Sequence, residues 1–383
     1  MISKVILIGD PYRGEQAPNI ERIKGLFAPL LRQLGVEVQT CITEINCNMD
    51  RDVWIPIWEK SLATYPEFVT ASLNLENTAV IGFEIPESEL NYLNECNLPW
   101  INFCIHPLRF LDDLYLDVTT SFNYDMHNMK ASPGLIDFCT EAIKLSSPSP
   151  LNNIRQKTLL ICGQVWFDRS VYFDGKFRSL EDYLPQLDIL VQQYERVLYK
   201  PHPAFESEKI TEIIVQRYHA QNCANINTYD LFSSGEVHTV CAISSSVLSE
   251  APYFGVQAIF LEPQAKCYGS AINYRSLLDN ADFWERGLLG RHKVGNDLNF
   301  STIVPPNYLR KIFGSWAFCT EEMRLQQRLE IVEVKVQKAQ QSAQNLENML
   351  RDIYASTSWR ITAPLRWFGE QVRQLCQKSS RSR

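Results

Sequence analysis

Three short polar motifs follow apolar runs in the second half of the chain: Gly163-Gln164, then Lys200-Pro201-His202-Pro203, then Ser244-Ser245-Ser246. Each falls where a strand of an alternating β/α domain should end. In open α/β sheets, ligands bind in the crevice outside the carboxyl ends of the strands. Proline fixes φ on both sides of His202, so its imidazole is held at a rigid strand end. From there it can donate to a phosphate or a leaving group, and Lys200 adds positive charge. Serines before a helix suit a phosphate, because free N–H groups at a helix start bind anions. One serine is enough to cap that helix, so capping and phosphate binding are compatible. Glu250 lies a turn further on, and its partner is either a ribose or a buried backbone group. Gly163 lets backbone approach a ligand closely. Gln164 can read a base or a sugar edge, or simply end the strand in an ordinary turn. Asp168, Arg169 and Ser170 follow in the same loop.

The first half offers an acid pair, Leu111-Asp112-Asp113-Leu114. Adjacent carboxylates beside a cleft suit a general base or a nucleophile. The competing reading is an acid pair favoured by a helix N-terminus. Asp10 and Arg13 follow the first strand and can face the same cleft. His106-Pro107 is a further strand-end histidine.

The elements that must position these groups alternate strand and helix. In the first half, strands are expected at 4–8, 36–40, 79–83 and 100–105, with helices at 20–34 and 87–95. Pro29 predicts a kink in the first helix or a late start. The run Leu145-Ser146-Ser147-Pro148-Ser149-Pro150 reads as a linker. After it the pattern restarts, with strands at 158–162, 196–199, 224–226, 237–243 and 257–261. Helices are expected between them at 179–194, 207–218 and 247–254. Two Rossmann-like halves of α/β class, residues 1–145 and 157–318 with a linker over 146–156, describe a GT-B architecture with a cleft between them. No GxGxxG follows the first strand, which weighs against a dinucleotide oxidoreductase. No metal-ligand spacing and no cofactor motif occur, so the donor of any group is expected to be a substrate.

Composition bounds the class. A chain of 383 residues with 45% hydrophobic and 21% charged residues is an ordinary globular protein, long enough for two domains. A net charge of −7 argues against a general nucleic-acid binder. The N-terminal run reads as a strand and lacks the features of a signal peptide. No apolar run is long enough to span a bilayer. The 11 cysteines are scattered, odd in number and without a CxxC pair, which fits a reduced, cytoplasmic protein.

Past Glu321 the composition changes. Apolar residues recur at Leu325, Leu329, Val332, Val336, Ala339, Ala343, Leu346, Leu350 and Ile353, a 4-3 alternation that specifies a coiled coil over 319–356. It would join copies of the chain or bind a pathway partner. The tail over 357–383 carries Trp359, Trp367 and Phe368 among arginines, with six Lys/Arg against one acid from Ser358 onward. That suits a peripheral seat on an anionic membrane surface.

At this point the residues carry a resemblance. The string "GQVWFDRS … YKPHP … SSS … EAPYFG" resembles bacterial capsule polysaccharide glycosyltransferases, the Kdo transferases and, more distantly, the sialyl- and polysialyltransferases. His202-Pro203 looks like that group's His-Pro motif, Ser244–Ser246 like its serine motif, and Gly163-Gln164 like its Gly-Gln strand end. The resemblance implies that these residues bind the CMP part of an activated sugar. It also implies a catalytic carboxylate in the first half, whose nearest match is Asp112-Asp113, with Leu114 where glycine is usual. The acceptor would be a glycan or a lipid-linked glycan of capsule, exopolysaccharide or lipopolysaccharide. A transferase using UDP-sugars, a nucleotide-sugar epimerase and a non-catalytic scaffold are the other readings of the same residues.

Overall fold

The computed structural model describes residues 2–14, 16–45, 50–64, 73–147, 156–202, 207–265, 268–292, 298–313 and 321–365. Pro203 and residues 366–383 of the tail lie outside them. Residues 1–320 form one compact unit and residues 321–383 a second.

The first unit begins with β1 (Lys4–Gly9), α1 (Ala17–Gln33), β2 (Glu37–Thr40), α2 (Arg51–Thr64), β3 (Thr78–Phe83), α3 (Glu87–Glu95), β4 (Trp100–Ile105), β5 (Leu116–Thr120) and α4 (Pro133–Ser146). The strands form one sheet in the order β2-β1-β3-β4-β5, parallel except for β5. Val5 to Ile8 and Ala79 to Ile81 are buried on both faces, which is why they read as unbroken apolar runs. The helix α1 continues through Pro29 instead of starting after it. Ile20, Ile23, Phe27, Leu30 and Leu31 bury against the sheet, and that packing offsets the hydrogen bond proline removes.

The second sheet holds β6 (Thr158–Cys162), β9 (Arg196–Lys200), β10 (Gln221–Asn222), β11 (Val237–Ala242) and β12 (Gln257–Phe260). A hairpin of β7 (Tyr172–Phe173) and β8 (Lys176–Phe177) stands apart from it. The helices are α5 (Leu184–Val191), α6 (Glu208–Tyr218), α7 (Thr228–Ser233) and α8 (Val247–Glu250). The strand order is β10-β9-β6-β11-β12, all parallel, which is the doubly wound Rossmann order. The short strand expected at 224–226 lies earlier, at Gln221–Asn222.

The chain then returns to the first sheet through α9 (Tyr274–Asp279), a π-helical turn at Phe283–Leu288 and α10 (Tyr308–Phe313). Tyr274, Leu277, Phe283, Trp284, Leu309 and Phe313 share one core with β1, β3 and β4. The Phe27 and Trp284 rings sit 5.1 Å apart, and those of Phe83 and Phe313 5.2 Å apart. The segment from 272 to 313, read from sequence as part of the second half, thus completes the core of the first.

The second unit contains one 35-residue helix, α11 (Glu321–Ala355), followed by α12 (Thr357–Ile361). Among the described residues, no helix is long and apolar enough to cross a membrane.

Candidate active site

Both sheets reverse direction at a switch point, and the strand ends there carry the polar residues. In the second sheet the switch lies between β6 and β11. Gln164 follows β6 and Ser244 ends the run after β11. The Gln164 Oε1 accepts the Ser244 N–H at 2.8 Å, and its Nε2 donates to the Ser244 hydroxyl at 3.2 Å. The Ser244 hydroxyl in turn donates to the Ser170 carbonyl. In the first sheet the switch lies between β1 and β3. Arg13 after β1 donates to the Glu84 carboxylate after β3 at 2.5 Å. Glu84 holds a left-handed backbone at φ 55°, which costs a side-chain-bearing residue about 1–3 kcal/mol and recurs at functional sites.

The two switch points face one another. Arg13 also lies 3.6 Å from Asp168 on the loop after β6. Arg169 donates to the Ile85 carbonyl at 3.0 Å. The carboxyl ends of both sheets therefore border one crevice, where bound ligands are expected in doubly wound folds.

His202 enters this crevice from the end of β9. Burial and the positive charges of Arg109 and Lys200 hold its ring below the ordinary imidazole value, while Asp168 pulls the other way. Arg109 comes from the first half, so its charge acts on His202 and Asp168 of the second. Burial opposes ionisation of Asp168, yet Arg13, the Ser170 hydrogen bonds and Arg109 together hold its carboxyl below the usual range. Its side chain remains 38% exposed, so water softens each of these pulls.

The crevice floor is tight at Gly163. A Cβ there would lie 2.9 Å from the Tyr199 hydroxyl and 3.3 Å from the His202 nitrogen. Its own N–H donates to the Lys200 carbonyl at 2.8 Å, which ties the ends of β6 and β9 together. Lys200 sends its ammonium to the Ala224 carbonyl at 2.7 Å. A small pocket beside this floor is lined by Gln164, Trp166, Arg178, Ser179 and His202.

No described protein family matches the chain, and neither does any curated protein. Among solved structures, the chain is similar to KpsC of Thermosulfurimonas dismutans, a beta Kdo 2,7 transferase. The TM-score is 0.35 at 13% identity, over 69% of this chain and 86% of that one.

Several residues singled out from sequence meet protein partners instead of open crevice. Asp113 is buried, and its carboxylate accepts N–H groups of Leu114 at 2.7 Å and Arg310 at 3.0 Å, and the Tyr274 hydroxyl at 2.9 Å. Behind it, Arg310 donates to the carbonyls of Arg109 and Leu111 at 2.9 and 2.8 Å, clamping the loop that presents Arg109. No helix starts at the acid pair, so the dipole reading fails there. Asp112 stays exposed and accepts the Tyr115 hydroxyl at 3.1 Å. Glu250 takes the buried-group reading: its Oε1 accepts the Arg109 N–H and the Tyr229 hydroxyl, each at 2.8 Å. Burial pushes Glu250 up to about 7 against these bonds. Ser246 makes no side-chain cap, and α8 is only 4 residues long before a 3-10 turn takes over. The anion-binding argument from a helix start is correspondingly weak, and the half-buried Ser245 and Ser246 stand on their hydroxyls and backbone alone.

His106 ends β4 but turns inward. Its Nδ1 accepts the Leu108 N–H at 3.1 Å, so Nε2 carries the proton and donates to the Gly269 carbonyl at 3.2 Å. Asp10 is buried and takes the Trp58 indole N–H at 2.8 Å. Sequence reading missed Glu84 and Arg109. Both had a signal: Glu84 follows β3 as Asp10 follows β1, and Arg109 follows the strand-end His106-Pro107.

Proposed function

We propose that this chain is a glycosyltransferase that moves a sugar from a nucleotide donor to a glycan or lipid-linked acceptor in capsule, exopolysaccharide or lipopolysaccharide synthesis. The observation that carries the reading is that the carboxyl ends of two Rossmann-like sheets face each other, with Arg13 3.6 Å from Asp168, Arg169 bonded to the Ile85 carbonyl, and His202 and Gln164 lining the adjoining pocket. His202 and Arg109 supply donors and positive charge for the donor's phosphate and for the nucleotide as it leaves. Ser245, Ser246 and Lys200 complete the phosphate side, and Pro203 keeps the His202 strand end rigid. The donor is a CMP-activated acidic sugar, on the strength of the His-Pro, serine and Gly-Gln motifs. With Asp113 engaged by Arg310 and Tyr274, the role of base or nucleophile passes to Asp112. The tail holds the enzyme at the cytoplasmic membrane surface beside its acceptor. No bound cofactor is invoked.

A non-catalytic scaffold is the second reading. It is favoured by the protein's own side chains bridging both switch points, Gln164 to Ser244 and Arg13 to Glu84.

Thermal stabilisation by CMP, CDP, UDP, GDP and ADP, with His202→Ala alongside, tests the proposal. A ligand at 100 times its Kd adds about 2.7 kcal/mol. Stabilisation by CMP that vanishes in His202→Ala supports a CMP-sugar transferase. A UDP-selective response keeps a nucleotide-sugar enzyme, transferase or epimerase, and removes CMP. Nucleotide binding without turnover on any acceptor, unchanged in Asp112→Asn, supports the scaffold. No response to any nucleotide overturns the nucleotide site.

A further inference from the structure

The face of α11 that carries the 4-3 repeat is about half exposed from Leu329 to Ile353. Leu329, Val332, Val336, Leu346, Leu350 and Ile353 are each 48–61% exposed. In heptad terms Leu329, Val336, Ala343 and Leu350 fall at a, and Val332, Ala339, Leu346 and Ile353 at d. Near the helix end the stripe widens: Met349 at g is 62% exposed, and Tyr354 at e, whose ring packs against Trp359 of α12 at 5.0 Å, is still 55% exposed. A strict a/d seam does not require apolar residues at e and g, so these two positions carry extra information about the partner.

We infer that α11 pairs with α11 of a second copy of this chain, parallel and in register. In a parallel pair, g of one helix faces e of the partner's following heptad. That places Met349 against the Tyr354 of the other copy, twice by symmetry, and a thioether beside a ring edge is a favourable contact. An antiparallel pair sets g against g and e against e, so Met349 and Tyr354 would no longer cover each other. In register, every core layer meets its own residue type. The two small layers, Ala339 and Ala343, then coincide and let the backbones approach, instead of leaving gaps opposite larger side chains. The match is self-complementary, as a two-fold interface must be. Eight half-exposed side chains on each of two copies also supply roughly the 1,200–2,000 Å² that a specific interface covers. The inference is independent of the glycosyltransferase reading, because it uses only α11.

The test is light scattering of the full-length chain across a dilution series, with cysteine cross-linking to fix the register. The expected mass is twice that of the chain. Leu346→Glu is expected to raise the dimer dissociation constant at least about tenfold, since it sets two carboxylates into one core layer. Under mild oxidation, Leu350→Cys at a should give clearly more covalent dimer than wild type, whose exposed Cys96 sets the background. Asn348→Cys, on the outer f position, should not. A monomeric mass at every concentration overturns the proposal. So does a dimer in which Leu350→Cys cross-links no better than Asn348→Cys, because that excludes the parallel register.

Discussion

The side-chain amide of Gln164 closes on Ser244 with both of its ends, accepting the backbone N–H at 2.8 Å and donating to the hydroxyl at 3.2 Å. The two residues end strands that lie on opposite sides of the switch point, 80 positions apart in sequence. A glutamine expected to read a base instead joins the two walls of the crevice. Gln164→Ala leaves a buried N–H without its acceptor, at a cost of about 1–3 kcal/mol. Urea denaturation should show a lower midpoint at unchanged slope. CMP stabilisation should fall with it, because the loop from Ser244 to Ser246 loses its anchor.

A single methyl group at Gly163 should be felt directly. Its Cβ would press on the Tyr199 hydroxyl at 2.9 Å. Gly163→Ala is expected to destabilise by about 1–3 kcal/mol, the usual cost of overpacking. Adding Tyr199→Phe to the same chain removes the obstructing oxygen and should recover part of that loss. The recovery stays incomplete, because the His202 nitrogen lies 3.3 Å away on the backbone and cannot retreat. A double variant no more stable than Gly163→Ala would show that the backbone contact alone sets the constraint.

The strands that position the crevice were readable because they are buried on both faces. Trp100–Ile105 and Thr158–Cys162 are mostly apolar runs, interrupted only by the buried Asn102 and begun by the buried Thr158, and the expected bounds match the observed ones. The antiparallel edge strand Leu116–Thr120 was missed, because an aspartate and two threonines in LDVTT break any apolar run. The return of Tyr274–Phe313 to the first sheet was illegible for a different reason. Short helices joined by turns carry no strand–helix alternation, and their partners on α1 and β3 lie far away in sequence. The same distance hid the partner of Glu250, since Arg109 is 141 residues earlier. Motif order thus located the second-half strand ends. Which carboxylates face solvent and which are engaged depended on long-range packing that no local pattern encodes.

Glu250 makes stability depend on pH in a stated direction. Its folded value of about 7 lies above the ordinary 4.5, because burial disfavours the charged form. Its contribution is therefore complete below about pH 4.5 and is lost as pH rises through 7. The whole swing is roughly 3 kcal/mol at most. His202 runs the opposite way. Its lowered value leaves its contribution intact above about pH 6.5 and loses it as pH falls. Wild type alone mixes the two, so the informative quantity is the difference between wild type and Glu250→Gln. Denaturation at several pH values from 5 to 8 should show the glutamine variant gaining on wild type as pH rises. A difference that stays flat would mean that Glu250 does not change protonation across that range.

Asp113 separates a structural carboxylate from a catalytic one. It gathers the Arg310 N–H, the Leu114 N–H and the Tyr274 hydroxyl, and so ties α9 and α10 to the loop that carries Arg109. Asp113→Ala strands three donors in a buried place, and the expected loss is about 2–4 kcal/mol. Asp113→Asn keeps one acceptor oxygen for the two N–H groups but turns an amide toward the Tyr274 hydroxyl, which can reverse to accept. Its loss should be smaller, about 1 kcal/mol, and comparable to that of Tyr274→Phe. Turnover measured alongside gives the decision. A structural Asp113 predicts that Asp113→Asn retains most of its activity per folded molecule, whereas Asp112→Asn, on an exposed carboxylate, loses activity with little change in stability. The reverse pattern, a stable Asp113→Asn with no turnover, would return the catalytic role to Asp113 and require α10 to move aside when substrate binds.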